Sequence, residues 1–178
     1  MLVQLFWDRG SGKLLGAEVA GRAGVDKRID IAATAITGNL TVEQLASIDL
    51  AYAPPYGSQR DPINVAATAA ASERRGLARF ITPEDLHARR EHVRVLDVRT
   101  PAERRAAGSI PASESIPLEE LHAKAKELDR DRSWVLYCDT GRRGYLGARV
   151  LEQLGFPDAA TLEGGFTSWK LSGLPVTS

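Results

Sequence analysis

Short apolar runs separated by helix-start signals fill the second half of this chain and restrict its fold more than any other feature. Residues 93–98 and Trp134-Val135-Leu136-Tyr137 read as buried strands, and residues 159–162 as a brief further one. Residues 118–128, residues 144–154 and a last segment containing Trp169 carry helical patterning between and after them. Thr82-Pro83-Glu84-Asp85 opens this half as a helix start. Its hydroxyl can accept from orphan amides, its proline is tolerated in the first turn, and its two acids suit the helix dipole. Strands alternating with helices require right-handed crossovers, so the expected fold is α/β, a parallel sheet with helices on both faces.

The first half reads differently. Residues 2–7 are rich in strand formers, Asp8-Arg9-Gly10-Ser11-Gly12 is turn chemistry, and residues 13–19 resume the strand, which makes a β-hairpin. The glycines at 10, 12 and 16 have the wrong spacing for a nucleotide loop, and a strand rather than a helix follows them. From Val25, a stripe of Ile29, Ile31, Ala32, Ala35 and Ile36 predicts a helix ended by Gly38-Asn39. Thr41-Val42-Glu43-Gln44 matches a capping box. Residues 51–57, with two prolines, cannot be regular helix, whereas residues 61–71 can, with Pro62 in the first turn. The Ala-rich, charged stretch 69–79 is the expected boundary. The expected organisation is a small α+β domain over 1–75 followed by the α/β domain over 76–178.

Composition narrows the function. Lys plus Arg and Asp plus Glu each total 23, so the chain carries no net charge, which argues against a nucleic-acid or anionic-membrane surface. No apolar run approaches a membrane span, and the first residues lack the basic region and cleavage site of a signal peptide. A single cysteine excludes an internal disulfide framework and a multi-cysteine zinc site. His87, His92 and His122 lack metal-ligand spacing, so no metal is expected. A reducing, cytoplasmic setting fits a lone thiol.

The informative stretch is Cys138-Asp139-Thr140-Gly141-Arg142-Arg143-Gly144. A buried strand ends at the cysteine, a glycine-containing loop follows, and a helix begins at once. Loop amides can point at the sulfur, the helix N-terminus adds positive potential, and Arg142 and Arg143 add full charges. All three favour the thiolate. The competing reading is a buried cysteine acting as a small hydrophobe. Its place at the C-terminal end of a strand in an α/β sheet, where such folds hold ligands, favours the functional one.

Cys138-x-x-Gly141-x-Arg143 resembles the active-site loop of rhodanese-type sulfurtransferases. Leu96-Asp97-Val98-Arg99-Thr100-Pro101-Ala102-Glu103 with Gly108-Ser109-Ile110-Pro111 is similar to that family's N-terminal signature. Glu163-Gly164-Gly165-Phe166 through Trp169, with Gly173-Leu174-Pro175-Val176, is similar to its C-terminal one. The resemblance covers about residues 79–178. It implies that Cys138 takes sulfane sulfur from a donor and passes it to a thiol acceptor, with Asp139, Thr140, Gly141, Arg142 and Arg143 holding the persulfide. Asp97 and Arg99 would brace the loop, either directly or as a structural ion pair. The interval from Glu103 to Gly108 is one residue longer than the family's common pattern. Asp139, beside the sulfur, is expected to repel a dianion such as thiosulfate and to favour a larger persulfide or polysulfide.

Gly24-Val25-Asp26-Lys27-Arg28-Ile29-Asp30 and Leu50-Ala51-Tyr52-Ala53-Pro54-Pro55-Tyr56-Gly57 resemble the C-terminal dimerisation domain of pyridine nucleotide–disulfide oxidoreductases of the coenzyme A disulfide reductase and NADH oxidase branch. Some members of that branch carry a rhodanese domain directly afterwards. The resemblance implies a homodimer through residues 1–75 or a flavoprotein partner. Tyr52 and Tyr56 could match substrate-side tyrosines, although packing is the stronger reading. With no dinucleotide-binding unit in the sequence, no cofactor is expected in this chain. FAD and NAD(P)H would belong to a separate or upstream flavoprotein part. Two alternatives stand beside the sulfurtransferase reading. One is a non-catalytic interaction or dimerisation module. The other is a cysteine phosphatase, whose longer Cys-x5-Arg cradle would need arginine where Gly144 stands.

Overall fold

The computed structural model describes residues 1–55, 57 and 60–177, and divides into two compact units, Met1–Leu77 and Ala78–Ser178. Tyr56 lies outside the described residues.

In the first unit, strands β1 (Leu2–Trp7) and β2 (Leu14–Ala20) pair antiparallel. Asp8 organises their turn by accepting from the Ser11 amide at 2.7 Å and the Ser11 hydroxyl at 2.6 Å. Helices α1 (Val25–Thr37), α2 (Val42–Ser47) and α3 (Pro62–Arg74) complete the unit. The capping box at Thr41 and Gln44 is formed as its sequence requires. The core gathers Leu14, Ala32, Ala35, Leu45, Ile63 and Ala67.

Two sequence expectations need correction here. Ile29 is exposed, and the buried position beside it belongs to Arg28, whose guanidinium meets Asp61 at 2.7 and 3.1 Å. A charge escaped the apolar count because its partner lies 33 residues away. Helix α3 also runs to Arg74, three residues past the expected 71, because Ala, Glu and Arg are good helix formers. Gly76, at φ +67°, stands just beyond its end.

The second unit holds a five-stranded sheet of β3 (Phe80–Ile81), β4 (Arg94–Asp97), β5 (Glu114–Ser115), β6 (Trp134–Tyr137) and β7 (Ala159–Leu162). Its order is β3-β7-β6-β4-β5, and every pairing is parallel. Helices α4 (Pro83–Ala88), α5 (Pro101–Ala107), α6 (Leu118–Lys124), α7 (Arg142–Gln153) and α8 (Gly165–Leu171) connect and cover it. The chain is therefore α/β in this unit, as expected.

Neighbouring strand residues serve opposite faces. Leu96 and Leu136 pack with Leu121, Leu151 and Phe156, while Val95 and Val135 pack with Leu86, Ile110, Phe166 and Trp169. That double burial is why the strands read as unbroken apolar runs. Helix α7 starts at Arg142, two residues before the expected 144. It lies close on the sheet because it carries glycine there: a β-carbon on Gly144 would come within 2.9 Å of the Leu136 carbonyl oxygen. This approach delivers the helix N-terminus to the C-terminal ends of β4 and β6.

Candidate active site

Cys138 is the first residue after β6 and is 2% exposed. The Gly141 amide donates to its Sγ at 3.2 Å. Gly141 has φ +102° and caps the 12-residue helix α7, so the backbone reversal that turns this amide toward sulfur needs a residue without a side chain. A thiolate here faces an N–H and the positive end of a helix.

The loop is pinned from behind by the start of α8. The Phe166 amide donates to the Cys138 carbonyl at 2.7 Å and the Thr167 amide to the Asp139 carbonyl at 3.0 Å. Gly164 and Gly165 have φ +62° and +61°, and a β-carbon on Gly165 would overlap the Cys138 carbonyl oxygen. The Glu163-Gly164-Gly165-Phe166 segment thus lets one helix end hold the carbonyl side of the loop while α7 holds the other.

Asp97 and Arg99, both completely buried, meet at the end of β4. Arg99 donates from Nε and a terminal nitrogen to the Asp97 carboxylate at 3.0 and 2.7 Å, to the Gly108 carbonyl at 2.7 Å, and to Asp139 at 3.3 Å. Its guanidinium lies 4.3 Å from the Phe166 ring centre. Burial works against the Arg99 charge, but the Asp97 carboxylate outweighs it and the pKa is raised. Tyr137 donates to Asp97 at 2.8 Å and lies 3.1 Å from the Ser113 hydroxyl. Burial, joined by the nearby Asp97 charge, pushes its phenol up to about 12. Asp97 and Arg99 therefore do reach the loop, through Asp139. The longer interval to Gly108 is absorbed as helix α5, with Gly108 at φ +77° ending it.

Arg143 interacts with the Cys138 sulfur, and its guanidinium is shared with two carboxylates. Both its terminal nitrogens engage Glu103, at 2.9 and 2.6 Å, and one lies 3.5 Å from Asp139. Glu103 is held in turn by the Thr100 amide and hydroxyl, each at 2.8 Å, in a capping box at the start of α5. The Arg143 hydrogen bonds, and with them the Thr100 amide, hold the Glu103 carboxyl far below the usual carboxylate range. Asp139, partly exposed, is likewise met by Arg99 at 3.3 Å and Arg143 at 3.5 Å. Arg142 and Thr140 are exposed, and Arg142 has no ion pair among the described residues. Glu103 and Tyr137 went unassigned in the sequence. The capping-box spacing from Thr100 to Glu103 was the available signal for Glu103, but it says nothing of a partner 40 residues on.

Tyr52, in the first unit, is half exposed and lines a cavity of about 170 Å³ with Lys27, Arg28 and Asn64. Among the described residues no group of three or more His, Cys, Asp or Glu could hold a metal ion. Among the described residues, no helix is long and apolar enough to cross a membrane.

With this geometry in view, the comparisons with known proteins are specific. The rhodanese-like domain family matches residues 82–172. A sulfurtransferase of Allochromatium vinosum is 36% identical over 88 residues, covering 49% of this chain and 81% of that protein. The crystal structure of reduced Bacillus anthracis CoADR-RHD superposes with a TM-score of 0.90 at 37% identity, over 98% of this chain and 31% of that one. The NAD-dependent persulfide reductase from A. fulgidus gives 0.83 at 36% identity, over 94% of this chain and 30% of that one. The chain thus spans under a third of these two longer proteins and most of the sulfurtransferase. The family match, the two signatures and the cysteine loop agree, and the chain belongs to the rhodanese-like domain family.

Proposed function

We propose that this protein is a sulfurtransferase that carries sulfane sulfur as a persulfide on Cys138. The observation that carries the reading is the Gly141 amide aimed at Sγ from 3.2 Å, at the N-terminus of a helix locked close to the sheet. In the first half-reaction the Cys138 thiolate attacks the outer sulfur of a donor R–S–SH. The S–S bond breaks, its electron pair leaves with RS⁻, and Cys138 becomes Cys–S–SH. In the second, an acceptor thiolate takes the outer sulfur and returns Cys138 as thiolate. The covalent intermediate divides one transfer into two displacements.

Asp139, Thr140, Gly141, Arg142 and Arg143 form the cradle in this reading. Gly141 supplies a donor to the anionic sulfur, Arg142 meets the solvent-side part of a donor, and Asp139 and Arg143 hold the loop through their ion pairs. Asp97 and Arg99 position it from β4. Similarity to a named sulfurtransferase and to a named persulfide reductase supports a persulfide or polysulfide donor and a thiol acceptor. The first unit, in a chain that is similar over 98% of its length to part of CoADR-RHD, would mediate a homodimer or contact with a flavoprotein part that supplies FAD and NAD(P)H. This chain itself would need no cofactor or metal and would work in a reducing, cytoplasmic setting.

The test is intact mass after incubation with polysulfide or a coenzyme A persulfide. Wild type should gain one sulfur, removable by a thiol, and Cys138→Ser should gain none. An unmodified wild type with every donor would refute the proposal. A phosphatase reading is disfavoured because the loop arginine is engaged by Glu103 and comes one residue too early for a phosphate cradle.

A further inference from the structure

The charged groups around Cys138 come from every element packed on it. The loop and α7 supply Asp139, Arg142 and Arg143, the end of β4 supplies Asp97 and Arg99, and α5 supplies Glu103 and Arg104. Tyr137 precedes the cysteine, while Glu163 and Lys170 flank the start and end of α8. Most of these charges are cancelled in pairs. Arg99 and Arg104 stand against Asp97 at 2.7 and 3.5 Å, Arg99 and Arg143 against Asp139 at 3.3 and 3.5 Å, and Arg143 against Glu103 at 2.6 Å. Three cations therefore face three anions. Of the two loop arginines only Arg142 has no carboxylate partner among the described residues, while Arg143, which also interacts with the Cys138 sulfur, is matched by Glu103 and Asp139.

The Glu103 pair decides this balance. Asp97 is buried and committed to Arg99 and Tyr137, and Asp139 is shared between two arginines. Glu103 sits on a different element from the loop and takes both ends of the Arg143 fork, a bidentate grip that fixes direction as well as charge. The Thr100 capping box holds the same carboxylate independently of Arg143, which limits the side-chain freedom the pair must give up.

We propose that Glu103 sets the charge selectivity of the cysteine site: by engaging the Arg143 guanidinium, it makes the cradle favour neutral or singly charged sulfur donors over dianions such as thiosulfate. Glu103 acts through Arg143 and is a positioning residue. The inference rests on the sulfurtransferase reading for its choice of donors, but not for its electrostatics. It also reassigns the discrimination against thiosulfate, expected from Asp139 in the sequence, to a residue on a neighbouring helix. The carboxylate of Asp139 is answered by two arginines, whereas the charge Glu103 cancels is the one that would otherwise face the ligand.

The experiment compares wild type with Glu103→Gln and with Glu103→Gln/Arg143→Gln, after far-ultraviolet circular dichroism has shown each to be folded. Glutamine keeps the shape and the one oxygen that accepts from Thr100 and one Arg143 nitrogen, and removes the charge together with the second acceptor. The first readout is the rate of Cys138 alkylation by anionic iodoacetate relative to neutral iodoacetamide. The second is the rate of sulfur uptake from thiosulfate relative to a coenzyme A persulfide. In Glu103→Gln both ratios should rise about tenfold, the effect of one unit of charge within a few ångströms in a partly exposed site. In the double variant both should return toward wild type, because the freed cation is gone. Unchanged or lower ratios in folded Glu103→Gln would overturn the inference, as would a rise that persists in the double variant. The alkylation ratio reads the field at sulfur even if no donor loads it. Failure of sulfur uptake in wild type would therefore count against the sulfurtransferase reading and leave this inference to be decided by alkylation.

Discussion

The buried Arg99 guanidinium reaches the Asp139 carboxylate at 3.3 Å, tying the residue after Cys138 to the end of the neighbouring strand. The same guanidinium holds Asp97 and the Gly108 carbonyl, so one side chain links β4, the end of α5 and the cysteine loop. An arginine rather than a lysine is needed, because three acceptors in different directions match a planar fork and not a point charge.

Removing that fork should be costly. Arg99→Met takes from the Asp97 carboxylate, which has no solvent exposure, its bidentate partner and leaves only Arg104 at 3.5 Å as a countercharge. Loss of one partner from a buried ion pair costs about 3–5 kcal/mol. Urea unfolding followed by circular dichroism should show a loss of this size. A change under about 1 kcal/mol, the scale of a surface pair, would mean that the pair contributes little.

Gly165→Ala should disable the site without touching the sulfur. Its β-carbon would overlap the Cys138 carbonyl oxygen and come within 2.8 Å of the Gly141 amide nitrogen, at a φ of +61° that disfavours a side chain. The loop must shift, and Gly141 would lose its aim at Sγ. Cys138 alkylation rates should change by about tenfold or more, as a misplacement of an ångström does in reactive sites. An unaltered rate would show that the α8 terminus does not position the loop.

Tyr137 predicts an alkaline transition. With its phenol pushed up to about 12 in the folded chain, it stays neutral where the unfolded phenol, near 10, has already ionised. Its contribution is complete below about pH 10 and is lost as pH rises toward 12. In a spectrophotometric titration, one of the four tyrosines should ionise late, and Tyr137→Phe should remove that late step. The variant also gives up bonds to Asp97 and Ser113 and should lose about 1–3 kcal/mol of stability, because it leaves buried polar partners unmet.

Glu103 predicts the opposite dependence. Its pKa is depressed below the ordinary 4.5 by Arg143 and Thr100, so its contribution is present above that value and is lost as pH falls below it. Thermal melting of wild type should weaken on acidification from pH 5, and Glu103→Gln should flatten part of that decline. Parallel pH profiles for the two proteins would contradict the assignment.

What the sequence disclosed follows from what lies close together along it. The loop from Cys138 to Arg143 was legible because its strand, glycine and helix start are contiguous. The strands β4, β6 and β7 were legible because burial on both faces leaves uninterrupted apolar runs. Strands β3 and β5, two residues each, are too short for any periodicity and exist by pairing with β7 and β4. The bond from Arg143 to Glu103 and the bond from Arg28 to Asp61 each cross more than thirty residues, and no local pattern marks them. Asp139 looked like a repulsive charge because one of its arginine partners, Arg99, lies 40 residues away, and the nearer one, Arg143, was read as facing the sulfur.

The most direct test of the central claim is the mass of the protein after exposure to polysulfide at neutral pH. A single added sulfur, carried on the peptide containing Cys138, reversed by excess thiol and absent from Cys138→Ser, is the result expected. A wild-type mass that never changes, or a sulfur that still adds to Cys138→Ser, would contradict it.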